Sequence, residues 1–447
     1  MARLGTTDPG DETQSRADDS ARPASTAPDQ ELASEQGGSN RLVAAVNRTL
    51  ESLKYRGFRY LWLGSLLGMG GFGMQSIART LLVDDLTGSA FITSLVAMGF
   101  APTMLIMSLF GGVAGDRMER RLVIQVSQGA AAVLALVVAI LIFTGAVHWI
   151  HLLIASMLQG VTFAFQMPAR QALVPHLVGK KNVTNALSLN SAGMGIMTIV
   201  GPAIAGILYG ALGPEAVYFA VAGMSVFAVL FTSLIPTFRP AKNGKNSNVF
   251  SDIAEGIKYT WKNRLLLMLI ISGLTSALLA MPFRMQIPIF ARRLYDIDAS
   301  EIGWLMAAMG VGALLAAGIT ANLRPGNHRG AILLVVGIGG SGVGMLLLAV
   351  SQIYLVGLAI MVGVGLVGSM RMTLGQSLSI EATDDAFRAR VMSLNMMSFG
   401  FMPLGALPMG YSVDKIGAEP TLVIVGVMLL IATVLLMVTS STLRKHS

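Results

Sequence analysis

The chain contains no cysteine, which excludes disulfides, thiolate chemistry and sulfur-ligated metals. Charge is scarce, with Asp, Glu, Lys and Arg making up 13% of residues. Histidines number five; His148 and His151 lie close together but have no carboxylate beside them, so no metal site is expected. No Gly-Lys-Ser/Thr loop is present, which argues against phosphate binding and direct ATP coupling. Three Gly-x-Gly-x-x-Gly matches, at Gly68, Gly337 and Gly363, fall inside apolar runs rather than at strand-to-helix turns, so nucleotide binding is not expected. Paired carboxylates and Ser/His/Asp groupings are missing from those runs, and no enzyme or cofactor is inferred.

Hydrophobic residues are abundant instead. They form 53% of 447 residues, and the mean hydropathy is +0.66. A soluble core cannot take up that much apolar surface, so the solvent must be lipid. Glycine (50) and methionine (28) suit the same environment, because small residues let helices approach closely and thioethers fill irregular gaps. The formal charge of +8 sits in short joints between apolar segments, not on an aromatic-rich soluble face, and nucleic acid is not an expected partner.

Residues 1–40 are polar, small and Pro-rich, and are expected to be a disordered tail lacking the pattern of a secretory signal. From Phe58 onward, apolar stretches long enough to cross about 30 Å of hydrocarbon recur. They fall near 58–82, 90–111, 122–144, 150–173, 185–211, 215–236, 264–290, 300–322, 330–350, 354–378, 389–411 and 419–440. The fold class expected is therefore all-α integral membrane, with twelve transmembrane helices. Lys and Arg crowd the joints on one side, where Arg117, Arg120, Arg121, Lys180, Lys181, Arg239 and Lys258 are examples. Arg292, Arg293 and Lys415 are all that the other side holds. By the positive-inside rule both termini are cytoplasmic.

The two halves overlay at an offset near 205 residues. Glu51-Ser-Leu-Lys54-Tyr55 matches Glu255-Gly-Ile-Lys258-Tyr259, and the Gln171 to Asn190 spacing repeats between Gln376 and Asn395. Gly201, Gly206 and Gly213 return as Gly405, Gly410 and Gly417 after a one-residue slip. The expected domains are a six-helix half at 41–237, a cytoplasmic linker helix at 238–263 and a second six-helix half at 264–447, with a cavity where the halves meet.

Polar residues inside the spans are candidates for that cavity: Gln75, Arg79, Gln166, Arg170, Asn190, Arg284, Gln286, Arg371, Gln376 and Asn395. A charge at membrane depth costs at least about 2.5 kcal/mol on insertion scales, so these arginines should face protein or water. Gln166 and Arg371 occupy equivalent positions in spans 4 and 10 and are expected to point into one central cavity. Such a cavity favours anionic or hydrogen-bonding amphipaths. No acid lies mid-membrane, so Asp84 and Asp85, at the outer end of span 1, are the candidates for proton coupling by elimination.

The loop after span 2 reads Gly112-Val-Ala-Gly115-Asp116-Arg117-Met-Glu-Arg120-Arg121. Here the sequence resembles the major facilitator superfamily, whose signature in this loop is Gly-x-x-x-Asp-Arg-x-x-Arg-Arg. The resemblance implies that Gly112, Asp116, Arg117, Arg120 and Arg121 form a conformational latch between the halves. The second half carries a worn copy around Gly318 and Asn322. Gly201-Pro202 followed by Gly206 looks like the helix-packing motif of antiporters in that superfamily. Met74-Gln75-Ser-Ile-Ala-Arg79, Leu86-Thr-Gly-Ser89 and Met167-Pro168-Ala-Arg170-Gln171-Ala-Leu-Val-Pro175 resemble its enterobactin-exporter and macrolide-efflux-like branch. That branch implies export of siderophores, drugs or other amphipathic metabolites across the cell membrane, usually against proton entry; a monomer is expected. Span 4 departs from the drug-antiporter pattern, with Ser156-Met-Leu-Gln159-Gly160 in place of an arginine-led motif. An importer, a lipid-moving protein or a non-transporting receptor are the alternatives.

Overall fold

The structure is a computed structural model describing residues 50–179, 182–237, 258–323, 332–384, 387, 391, 394 and 400–439. The tail at 1–40, most of the linker at 238–263, and Asn395 lie outside the described residues. Residues Ser52–Ser447 form one unit.

Among the described residues the regular structure is helical. The first half comprises α1 (Arg56–Thr87), α2 (Ala90–Met98), α3 (Phe100–Arg117), α4 (Arg120–Phe143), α5 (Trp149–Val178), α6 (Val183–Leu212) and α7 (Pro214–Ser233). The second comprises α8 (Arg264–Thr275), α9 (Met281–Tyr295), α10 (Ala299–Asn322), α11 (Gly340–Val350), α12 (Tyr354–Glu381), α13 (Met402–Ile416) and α14 (Ala418–Thr439). Residues 258–262, at the end of the expected linker, are helical, and Trp261 there is 72% exposed.

Among the described residues nine helical rods are long and apolar enough to cross a membrane, with α2 and α3 contributing to one and α8 and α9 joined as another. Helical segments also lie at the three remaining expected spans, in α1, the Leu333–Val350 stretch and α13, consistent with twelve. At about 1.5 Å per residue, the 32 residues of α1 run about 48 Å, enough to span with tilt.

Lipid explains the form of these helices. Large apolar side chains stay exposed on their outer faces, among them Val133, Phe143, Phe227, Leu314 and Leu355. Small residues face the neighbouring helices. Several rods break locally where the sequence is merely apolar. The second rod pauses at Gly99, a π-helical turn at Ser276–Ala280 joins α8 to α9, and a π-helical stretch at Leu333–Gly339 leads into α11. Such π turns commonly accompany functional sites in membrane helices.

The halves meet chiefly along two helix pairs. In one, α6 of the first half packs on α10 of the second; in the other, α2 packs on α13. Glycine permits both contacts. A Cβ at Gly206 would lie 2.5 Å from the Cα of Gly303, and one at Gly410 would lie 2.6 Å from the carbonyl oxygen of Ala90. Backbone meets backbone at both crossings, as close helix packing in lipid requires.

Candidate functional site

At one end of the bundle, α1 finishes with Asp84 and Asp85 in its last turn and closes on Gly88 at φ 61°, whose N–H bonds back to the Asp84 carbonyl. Acids at a helix C-terminus oppose the macrodipole, so this placement needs cations from elsewhere. Arg292 and Arg293, in the last turn of α9, supply them from the other half. Arg292 Nη1 lies 3.2 Å from Asp84 Oδ2 and 2.5 Å from Asp85 Oδ1. Arg293 Nη2 reaches Asp84 Oδ1 at 3.4 Å and donates to the Gly88 carbonyl at 2.7 Å. Tyr209, on α6, donates its hydroxyl to Asp85.

A second carboxylate bridges the halves beside this cluster. Asp414, near the end of α13, accepts from Ser89 Oγ at 2.6 Å and from the backbone N–H groups of Ala90 and Phe91 at 2.8 and 3.0 Å. A side chain of one half thus caps the first turn of α2 in the other, where free N–H groups and the helix dipole favour an anion. Burial works against its charge, but the Ser89 hydroxyl, the two N–H groups and Arg293 outweigh that and hold the Asp414 carboxyl below its ordinary range. Its contribution to closure is therefore present above the ordinary carboxylate range and fades only as pH falls through the depressed value.

Inside the first half, Gln75, Gln159, Gln166, Gln128 and Arg170 line one cavity. Phe72 and Phe163 form part of its wall, with ring centroids 5.6 Å apart, and each also packs on Phe100. Gln159 organises the polar side: its Oε1 accepts from Arg79 Nη1 at 2.8 Å and its Nε2 donates to Gln75 Oε1 at 2.6 Å. Arg79 and Gln75 are both buried, and this relay gives the buried charge a partner. Gln159→Leu is therefore expected to cost about 2–3 kcal/mol by stranding a charged donor. Thermal unfolding of the purified protein checks this, and Gln159→Glu should restore part of the loss.

Arg170 also lies in this cavity and is buried, and its Nε has no hydrogen-bond partner. Inside the second half, Arg284 and Arg371 line a cavity together with Ser276, Ser341, Phe283 and Met345. Gln286 is buried beside it in sequence but turns away, donating to the Ala406 carbonyl at 3.2 Å. Gln376 is exposed and Asn190 is half-buried with its amide against Met194.

Gln166 lines a cavity among first-half residues and Arg371 one among second-half residues. Asp84 and Asp85, expected as a proton site, sit in the ion-pair cluster that ties the halves together. The latch residues Gly112, Asp116 and Arg117 fall on α3, with their side chains outside the described residues. Arg120 and Arg121 hold the carbonyls of Ala172 (3.0 Å) and Ile235 (2.6 Å), both within their own half. In the helix-packing motif, Gly201 meets Gly70 of α1, Pro202 sits against Gly73, and Gly206 meets Gly303 across the halves. His148 and His151 cap the start of α5.

Sequence reasoning passed over Arg292, Arg293, Asp414 and Gln159 as site residues. A signal for three of them was present. An acidic pair and a basic pair end spans 1 and 7 on the same side, and Gly410-Tyr-Ser-Val-Asp414-Lys415 repeats the Gly-x-x-x-Asp-basic pattern of Gly112 to Arg117 at the opposite end of the bundle.

Comparison with known proteins places this geometry. A family model described as transmembrane secretion effector matches residues 48–446. The multidrug efflux pump Tap of Mycolicibacterium fortuitum is 29% identical over 262 residues, covering 57% of this chain and 64% of the pump; the match thus spans less than two thirds of that relative. The enterobactin exporter EntS of Salmonella typhi is 25% identical over 303 residues, covering 67% of this chain and 72% of the exporter. Among solved structures, the nucleoside transporter NupG superposes with a TM-score of 0.68 at 14% identity, covering 87% of this chain and 99% of that one. A bacterial homologue of the lysosomal transporter Spinster, inward-facing and unoccupied, gives 0.67 at 14% identity, covering 88% and 98%.

Proposed function

Since this chain belongs to the transmembrane secretion effector family of major facilitator proteins, we propose that it exports amphipathic small molecules by alternating access. The observation that carries this reading is the set of polar bridges from Arg292, Arg293 and Asp414 to Asp84, Asp85 and the first turn of α2. They tie two six-helix halves together at one end, and such bonds must break if the halves rock apart there. The names of the efflux-pump and siderophore-exporter relatives support outward transport.

The asymmetry of Lys and Arg supports a cell-membrane protein with both termini in the cytoplasm, which puts the Asp84 end outside. The halves are 41–237 and 264–447, joined by the 238–263 linker, with the 1–40 tail ahead of them. The form described here is then sealed to the exterior. Substrate enters from the cytoplasm, the outer seal opens, and the latch at Asp116, Arg117, Arg120 and Arg121 closes the inner end. Gly201, Pro202 and Gly206 form the sliding surface between α6, α1 and α10. Substrate contacts come from the polar residues of the two cavities, and the protein works as a monomer without a cofactor.

Protons supply the energy in this scheme, each charge crossing 100 mV being worth about 2.3 kcal/mol. Asp84 and Asp85 are the coupling groups: a proton arriving from outside neutralises an acid, weakens its hold on Arg292 and Arg293, and lets the outer end open. Purified protein in vesicles should therefore show proton flux that depends on added substrate. Asp84→Asn should lower that flux about tenfold, the loss of one charge-assisted bond, while Asp116→Asn should impair transport and leave expression intact. Unchanged coupling in Asp84→Asn moves the proton path elsewhere, and absence of any substrate flux in the native protein removes the exporter reading.

A further inference from the structure

Among the described residues, the cavity of the second half holds two cations with no internal counter-charge. Arg284 on α9 and Arg371 on α12 line the same cavity. Among the described residues neither guanidinium makes a hydrogen bond or an ion pair, in contrast to Arg79 with its Gln159 partner. A lone cation at membrane depth is costly, and two facing one space repel each other as well. Ser276 is 1% exposed and lines the same cavity, yet its hydroxyl has no partner. Space is kept open around these groups. A Cβ at Gly368 would stand 3.6 Å from Arg284 Nη1, and one at Gly337 would press on the Arg371 Cβ at 2.8 Å. The wall between the polar groups is apolar, formed by side chains such as Phe283 and Met345.

We propose that this cavity is a binding site for the anionic group of an amphipathic organic anion, with Arg284 and Arg371 as its cation pair and Ser276 as a hydroxyl donor. A carboxylate, sulfonate or phosphate monoester accepts charge-assisted bonds from two guanidiniums, while the apolar body of the same molecule lies against Phe283 and Met345. The ligand neutralises charge that is otherwise uncompensated, so its binding and the stability of the half are linked. This inference rests on the exporter reading above and narrows its substrate to anions.

Counterflow tests it without relying on any proton gradient. The full chain is purified and reconstituted, and vesicles are preloaded with either dansylglycine or its neutral amide, dansylglycinamide. The native protein should exchange dansylglycine. Arg284→Gln and Arg371→Gln should each slow that exchange about tenfold, the value of one charge-assisted bond. Arg284→Lys and Arg371→Lys should recover part of it. Exchange of the amide by a native protein that ignores the acid, or acid exchange unaltered by both Gln variants, overturns the anion site and leaves the exporter reading standing. Exchange of inorganic sulfate in place of dansylglycine overturns it too. Should neither dansyl probe move, the anion site falls, and the exporter reading falls with it only if substrate-dependent flux is also absent. If a Gln variant fails to elute as a folded species, the acid-to-amide preference of the native protein still decides the outcome.

Discussion

Replacing Arg292 and Arg293 together by glutamate should open the Asp84 end of the bundle and keep it open. The change removes three ion pairs to Asp84 and Asp85, a fourth to Asp414 and the bond to the Gly88 carbonyl, and sets five acids side by side. Exposed pairs are worth only about 0–1 kcal/mol each, but Asp84 is 7% exposed and the bonds act as a group. A total near 3 kcal/mol shifts a two-state equilibrium more than about 100-fold. The absence of native cysteine makes the measurement direct: spin labels at Leu86→Cys and Lys415→Cys should report a longer distance in the double glutamate protein than in the parent. An unaltered distance would show that other contacts hold this end shut. Transport should fall by about the same factor, since a carrier held in one state cannot cycle.

Two glycine substitutions should separate folding from cycling. At Gly365, on α12, a Cβ would lie 1.8 Å from the Met309 carbonyl oxygen of α10. Both helices belong to the second half, so Gly365→Val forces apart a core contact of that half. Overpacking of this kind costs about 1–3 kcal/mol even where neighbours can adjust, and two backbones adjust poorly; loss of the folded protein is expected. At Gly206 the clash is with Gly303 across the halves. Gly206→Val leaves each half packed and prevents them from meeting, so thermal stability should change by only a few degrees while transport falls at least about tenfold. Equal loss of stability in both variants would mean that the halves depend on their interface to fold.

Much of the architecture was legible because lipid imposes a simple rule. Each rod must be about 20 apolar residues long, and the charges between rods reveal their order. The duplication was legible for the same reason, since Gly201, Gly206 and Gly213 recur as Gly405, Gly410 and Gly417. The interruptions at Ser276–Ala280 and Leu333–Gly339 were not, because a π turn in an apolar run has no distinctive composition. Nor was the ion-pair cluster: Asp84 and Arg292 lie 208 residues apart, and reading each span by itself leaves an acidic pair without its partner. Buried arginines announced a polar interior, but only geometry separates Arg79, which has an amide partner, from Arg284 and Arg371, which share an open space.

The two halves are expected to separate at the Asp84 end in every transport cycle. Ser89 Oγ and Asp414 Oδ2 stand 2.6 Å apart across that junction, and the chain has no cysteine of its own to compete. A protein carrying Ser89→Cys and Asp414→Cys should form a disulfide on oxidation, stop transporting, and recover when reduced. Undiminished transport with the crosslink fully formed would contradict the account.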